Sequence, residues 1–132
     1  MGAIDVAVFN KLGAAAGLTA LVSSRIYARQ APQGAALPYV IFSHQGGGQV
    51  NMEPVDRLEL VYWIRAYAAT QAAAGAIDDQ ISLALHRQAL TATGWAHLGC
   101  QRESDQRLEE RDAAGALIWI TGALYRIRAQ ST

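Results

Sequence analysis

The sequence predicts an α+β fold, a two-layer domain in which an antiparallel sheet carries two main helices packed on one face. Two patterns lead to this prediction. Apolar side chains recur at helical spacing near the N-terminus and again over residues 70–86, whereas residues 57–67 alternate as a strand with one buried face does. The other strand segments follow one another through short loops, which favours antiparallel pairing.

The first part of the chain is predicted to form a helix, a helical turn and two strands. Apolar residues at helical spacing predict a helix over residues 3–15 and a short helical turn over 18–22. Aromatic and β-branched residues predict strands over 25–29 and 39–44, and the segment between them is rich in proline and glycine. These two strands are therefore expected to pair through a loop.

Three consecutive glycines follow the second strand, at positions 46–48. Ordering a glycine costs more backbone entropy than ordering any other residue. We therefore expect residues 46–54 to form a mobile loop, which would become ordered against a neighbouring protein.

The clearest strand signal lies over residues 57–67. One face is expected to contact the helices and carries Leu58, Leu60, Tyr62, Ile64 and Ala66. The other face carries Arg57, Glu59, Val61, Trp63, Arg65 and Tyr67. Because successive side chains of a strand point to opposite faces, Trp63 and Arg65 are predicted to lie away from the helices.

The second part of the chain is predicted to form one helix and two strands. Thr70 is a favourable N-cap residue for the helix. The apolar stripe of this helix consists of Ala74, Ile77, Ile81, Ala84 and Leu85. Strands are expected over residues 95–108 and 116–128, joined by a turn at 112–115.

The final predicted strand is apolar on both faces. Its two sets of side chains are Ile118, Ile120 and Leu124 on one face, and Leu117, Trp119, Tyr125 and Ile127 on the other. A sheet with helices on one side usually has polar residues on its other side. Two explanations remain open at this point, a curved sheet with a second small core, or a contact between subunits.

Composition and charge limit the possible functions. A chain of 132 residues is expected to form a single domain, covering residues 1–132. Eleven basic and eleven acidic residues give a net charge of zero, without the basic excess that proteins binding nucleic acid nonspecifically usually have. The single cysteine, Cys100, excludes an internal disulfide, and no signal peptide or membrane segment is expected.

No catalytic, cofactor or metal motif is predicted. His97 and Cys100 are too few for a structural zinc site, and their odd spacing on a strand places them on opposite faces. The glycines at 46–48 lack the Lys-Ser/Thr ending of a phosphate-binding loop. The acidic residues between 103 and 112 alternate with arginines, which is typical of a solvated or ion-paired hairpin. We therefore expect a protein that is not an enzyme.

Three segments follow a familiar pattern: Ala20-Leu21-Val22 before Ser24-Arg25-Ile26-Tyr27, then Leu37-Pro38-Tyr39-Val40-Ile41, and later an Ala-rich helix ending in Leu83-Ala84-Leu85-His86. With the N-terminal helix, the long third strand and the final strand after an acidic hairpin, the chain resembles over nearly its whole length the siphophage tail terminator family, also called tail-completion proteins. This resemblance implies an α+β subunit of a hexameric ring that caps the head-proximal end of a phage tail tube. Such a ring stops tube polymerisation and provides the head-tail joining surface.

The resemblance also implies partners and a location. The expected partners are further copies of the chain, the tail tube protein and a head-completion or connector protein. Genome DNA would pass through the lumen without specific binding, and no membrane is involved. The expected location is the tail-head junction of the virion, after synthesis in the host cytoplasm.

The glycine segment and the strand faces away from the helices are the candidate assembly interface. Its residues are Gly46, Gly47, Gly48, Gln49, Asn51, Trp63, Arg65, Ile118 and Ile120. Two alternatives remain: another neck or adaptor protein of the phage tail, and a small α+β ligand-binding or enzymatic domain. A closed apolar pocket with converging polar groups would favour the second alternative, whereas a flat, complementary surface would favour assembly.

Overall fold

The computed structural model describes residues 2–50 and 57–131. Within them lie three helices and five strands. The helices are α1 (Ala3–Gly13), α2 (Ala16–Val22) and α3 (Gln71–Leu85). The strands are β1 (Ile26–Ala28), β2 (Tyr39–Val50), β3 (Arg57–Ala68), β4 (Trp95–Arg111) and β5 (Leu117–Ser131). The α+β class is therefore confirmed, with three helices where two main helices were predicted.

The five strands form a curled, mixed sheet in the order β1-β2-β3-β5-β4. The prediction of a wholly antiparallel sheet is wrong at one edge, because β1 pairs with β2 in parallel, with Ile26 opposite Val40 and Ala28 opposite Phe42. β1 has only three residues, so it spans about 10 Å. Residues 29–38 are long enough to return along that length before β2 begins, which allows the parallel arrangement.

The glycine segment is part of a strand. β2 continues to Val50, and Gly46, Gly47 and Gly48 lie opposite Val61, Leu60 and Glu59 of β3. The prediction of a mobile loop is therefore wrong for residues 46–50, because the long partner strand provides ladder hydrogen bonds that offset the entropy of ordering glycine. Residues 51–54 of that predicted loop lie outside the described residues.

The predicted cap of the long helix is confirmed. The Thr70 hydroxyl oxygen accepts a hydrogen bond from the Ala73 backbone N–H at 3.1 Å, which satisfies one of the first free donors of α3. The helix buries the predicted stripe of Ala74, Ile77, Ile81 and Leu85, and Ala84 packs against the same core. It also buries Asp78, which the apolar pattern did not predict.

The main core lies between the helices and one face of the sheet. Its largest fully buried side chains include Tyr62, Tyr125, Phe42, Leu12, Leu18 and Ile64. The Tyr62 hydroxyl donates a hydrogen bond to Asp5 in the first turn of α1. Burial, reinforced by this bond to Asp5, raises the pKa of Tyr62. This contact connects the N-terminal helix to the central strand.

A second, smaller core lies on the opposite face of the sheet. It consists of Ile41, Tyr67, Ile118 and Ile120, with Tyr27, Ala31, Leu37 and Tyr39 packed against it. The second-core explanation for the two-faced final strand is therefore confirmed for Ile118 and Ile120. None of the described helices is by itself long and apolar enough to cross a membrane, although α1 and α2 taken together have that length and composition, with an 82° bend between them.

Candidate assembly surface

The helices leave one part of the sheet uncovered, which we call the open face. It is the side of the β3–β5 pair that lies opposite the main core. Leu60, Tyr62 and Ile64 of β3 point into the core, so the residues between them point to the open face. The residues of the open face are Glu59, Val61, Trp63, Arg65, Leu124, Arg126 and Arg128, flanked by Gly46 and Gly48 of β2. The predicted placement of Trp63 and Arg65 away from the helices agrees with this arrangement.

Trp63 and Arg65 stack on one another at the centre of the open face. The guanidinium carbon of Arg65 lies 3.7 Å from the Trp63 ring centroid, within the range of a cation–π contact. The indole N–H of Trp63 and the Nε–H of Arg65 are buried, and neither finds a hydrogen-bond acceptor among the described residues. A buried donor without an acceptor costs about 1–3 kcal/mol, so a rotation of either side chain on assembly that lets its donor reach an acceptor on a neighbouring molecule would stabilise this pair.

An aromatic row holds Arg65 from the other side. Arg65 lies 5.6 Å from the Tyr67 ring, Tyr67 stacks on Tyr39 with centroids 4.9 Å apart, and Tyr39 meets Tyr27 edge-on at 5.9 Å. Burial raises the pKa of Tyr67, and Arg65 opposes that rise. Because the row continues into the second small core, it fixes Trp63 and Arg65 on a rigid part of the sheet.

A balanced group of charges occupies the other end of the open face. Arg128 Nε lies 3.1 Å from a Glu59 oxygen and Arg126 Nη1 lies 3.6 Å from the other, while Arg126 also donates to Glu103. The hydrogen bond from Arg126 lowers the pKa of Glu103. Two arginines thus share two carboxylates, and the charges of these four residues cancel.

The structure places the predicted interface residues in different environments. Gly46, Gly48, Trp63 and Arg65 lie on the open face, and Gln49 is exposed near the end of β2. Ile118 and Ile120 are only 9% and 4% exposed, because residues 29–38 cover them within the subunit. They are therefore removed from the candidate interface. Asn51 lies outside the described residues.

Gly47 has a different role from its neighbours. Its φ of 88° lies in the left-handed region, just after a β-bulge between His44 and Gly46. A Cβ at this position would collide with the backbone carbonyl of Glu59, whereas Gly46 and Gly48 have open space. Gly47 is therefore required by the fold of the β2–β3 pair.

Separate alanine variants are expected to distinguish these roles. Gly47→Ala should lower the free energy of unfolding by about 1–3 kcal/mol, because it strains the backbone against β3. Gly46→Ala is the matched control and should change it by no more than about 0.5 kcal/mol. Urea denaturation of both variants measures the difference. Equal stabilities would show that the bulge does not need a glycine.

Sequence reasoning missed a partly buried ionic cluster between α3 and β4. Arg102 donates to both carboxylate oxygens of Asp78 at 3.0 and 2.7 Å, to Asp105 at 2.8 Å and to the Tyr125 hydroxyl at 3.0 Å. Burial alone would lower the pKa of Arg102, but these hydrogen bonds outweigh it and the pKa is raised. The signal in the sequence was Asp78 itself, a carboxylate next to Ile77 on the apolar stripe, where a charge needs a partner.

Of the residues considered for chemistry, Cys100 is placed where its thiol is a poor nucleophile. Cys100 is 1% exposed, and burial raises the pKa of its thiol to about 12, so the thiol stays protonated at neutral pH. The side chain of His97 lies outside the described part of the structure. Among the residues that are described, no group of three or more His, Cys, Asp or Glu is placed to hold a metal ion.

The fold also occurs in a chain of a solved virion particle. The structure is similar to a chain from a solved structure titled "Virion of native gene transfer agent (GTA) particle", with a TM-score of 0.80 over 98% of this chain and 96% of that one. The two sequences are 22% identical, so this likeness concerns the fold. No curated protein sequence matches the chain significantly.

The family follows from the sequence match. The model described as "Tail completion protein gp17" matches residues 6–123, which is most of the chain. The chain therefore belongs to the tail completion protein gp17 family, and it is a phage tail structural protein. The resemblance inferred from the strand motifs is confirmed.

Proposed function

We propose that this chain forms a hexameric ring that caps the head-proximal end of a phage tail tube, stops tube polymerisation and provides the head-tail joining surface. Family membership supports a role in tail completion. The observation that carries the assembly surface is the Trp63–Arg65 pair, whose two buried donors have no acceptor within the described part of the subunit. The protein acts as a structural component and is not an enzyme.

Ring closure requires two different patches on each subunit. In a head-to-tail contact, one patch of a subunit meets a different patch of the next, and the chain of contacts closes when the rotation permits. The open face is the first patch. The second is supplied by apolar side chains that α1 and α2 leave exposed, namely Val6, Phe9 and Leu21, each 38–41% exposed. A net charge of zero keeps repulsion between subunits low.

The ring lies at the tail-head junction between the tail tube protein and a head-completion or connector protein. Genome DNA passes through its lumen without specific binding. The neutral net charge and the carboxylate partners of Arg126 and Arg128 support this, because a tight grip on phosphates would need unpaired cations. Another position in the neck of the tail is the alternative that remains within the same class.

The proposal is tested by adding the purified protein to growing tail tubes of the matching tube protein. We expect the tubes to stop elongating, and negative-stain micrographs to show a ring at one end of each tube. Tubes without the protein are the control. Continued elongation, or protein bound along the sides of the tubes, would show that the chain does not terminate them.

A further inference from the structure

The outer edge of β4 is covered along its first half and free along its second. The Arg87 N–H donates to the Cys100 carbonyl at 2.7 Å, and the Arg102 N–H donates to His86 Nδ1 at 3.0 Å. Beyond Arg102, residues 103–111 continue as the last strand of the sheet, and in the described part of the chain nothing pairs with their outer edge. A free strand edge is a template for pairing with another strand.

The side chains along this free half carry a regular charge pattern. On one side of the strand the order is Asp105, Arg107, Glu109 and Arg111, so the sign alternates at every position. If a second copy of the strand pairs antiparallel with its centre at Leu108, Arg107 lies opposite Glu109 of that copy, and Asp105 lies opposite Arg111. Opposite charges placed across two strands stabilise the pair, and like charges destabilise it.

Other registers form fewer pairs of opposite charge: centring on Gln106 pairs only Asp105 with Arg107, and centring on Glu110 pairs only Glu109 with Arg111. Centring the pair on Arg107 or on Glu109 places two like charges directly opposite each other. The register centred on Leu108 also brings together two Leu108 side chains, which are 48% exposed in the single subunit. The register centred on Leu108 therefore forms the most pairs of opposite charge and is the favoured one.

Of the four charged residues, the outer two, Asp105 and Arg111, have contacts within the subunit, whereas the central two, Arg107 and Glu109, are available for the dimer contact. Asp105 already binds Arg102 at 2.8 Å, and Arg111 donates to the Gly115 carbonyl at 2.8 Å. Arg107 and Glu109 are exposed and have no hydrogen-bond or ion-pair partner in the described structure. Each pair of copies would form two ion pairs from these residues, one on each side of the twofold axis.

We propose that two free subunits pair antiparallel through residues 105–111 of β4, forming a twofold dimer with one continuous sheet. This contact uses the edge of the sheet, whereas the proposed ring uses the open face and the helices, so neither depends on the other. In the free subunit the pairing covers an edge that would otherwise promote aggregation.

Charge reversal tests the proposal directly. In the Leu108-centred dimer, position 107 of each copy lies opposite position 109 of the other. Arg107→Glu therefore places two glutamates opposite each other on both sides of the twofold axis, and Glu109→Arg places two arginines opposite each other at the same positions. Each variant alone should bind itself about tenfold more weakly than the natural sequence in sedimentation equilibrium. An equal mixture of the two variants, or the double variant Arg107→Glu/Glu109→Arg, restores opposite charges and should restore dimerisation.

Lys11→Glu provides a control with the same charge change as Arg107→Glu on another element, α1. Thermal melts should show that all variants fold equally well. The proposal is overturned if the natural protein stays monomeric at all accessible concentrations. It is also overturned if the single variants dimerise as well as the natural protein, or if the mixture and the double variant fail to recover. Tube termination by Arg107→Glu, measured separately, should remain normal.

Discussion

Arg102→Ala is expected to lower the free energy of unfolding by about 3–5 kcal/mol, the cost of leaving a buried charge without its partner. Asp78 is only 6% exposed and receives two hydrogen bonds from the Arg102 guanidinium. Removing Arg102 leaves the buried Asp78 carboxylate without its cation and also removes a donor from the Tyr125 hydroxyl. The same change removes the ionic contact between α3 and β4.

Two further variants make this expectation specific. Arg107→Ala removes an exposed arginine from the same strand and should change stability by no more than about 0.5 kcal/mol. The double variant Arg102→Met/Asp78→Leu replaces the ion pair with apolar side chains of similar size and should recover most of the lost stability. Urea denaturation measures all three. If Arg102→Ala lowers the free energy of unfolding by less than about 1 kcal/mol, water replaces the arginine easily and the cluster contributes little to the stability of the domain.

Leu60→Ala and Trp63→Ala are expected to separate folding from assembly. Leu60 is 8% exposed and lies in the main core, so its truncation should cost about 2–5 kcal/mol of subunit stability. Trp63 lies on the opposite face of the same strand, where its ring supports Arg65. Trp63→Ala should leave most of the subunit stability in place and instead weaken ring formation, because large aromatic residues often anchor interfaces.

Thermal melts of the isolated subunit and a ring assay on tail tubes, performed on both variants, measure these effects. The expected pattern is a low melting temperature for Leu60→Ala, and for Trp63→Ala a nearly natural melting temperature with few rings. If Trp63→Ala melts as early as Leu60→Ala, the assignment of the open face as an assembly surface is wrong.

The elements with local signals could be predicted from the sequence. The period-two pattern of residues 57–67 matches β3, and the core side of that strand is the predicted one. Thr70 is the N-cap of α3, as predicted, and its hydroxyl oxygen accepts a hydrogen bond from the first turn of the helix. Asp112 closes the turn before β5 by accepting hydrogen bonds from the backbone of Ala114 and Ala116 at 2.9 Å, as the predicted turn at 112–115 requires.

The features that depend on distant parts of the chain could not be predicted. The parallel pairing of β1 depends on the path of residues 29–38, and composition does not specify that path. The strand conformation of Gly46 and Gly48 depends on the partner strand β3. In both cases a local rule, pairing through short loops or the entropy of glycine, was outweighed by tertiary contacts.

The candidate assembly surface could be predicted only in part, because some of its predicted residues depend on contacts with distant parts of the chain. Trp63 and Arg65 could be placed together because side chains two residues apart on a strand share a face. Ile118 and Ile120 lie on that side of the sheet too, but a loop from another part of the chain covers them. A β-bulge between Arg102 and Ser104 shifts the alternation of β4, so Arg102 and Asp105, three residues apart, lie on the same face and form an ion pair, which period-two alternation alone does not reveal.

The central claim is that copies of this subunit close into a ring on the tail tube through the open face. Electron cryomicroscopy of tubes capped with the protein tests it most directly. The account predicts one hexameric ring at a single end of each tube, with Trp63 and Arg65 covered by the next subunit and their two free donors bound to acceptors there. A ring in which Trp63 and Arg65 face solvent, or subunits that attach to the tube without closing into a ring, would contradict it.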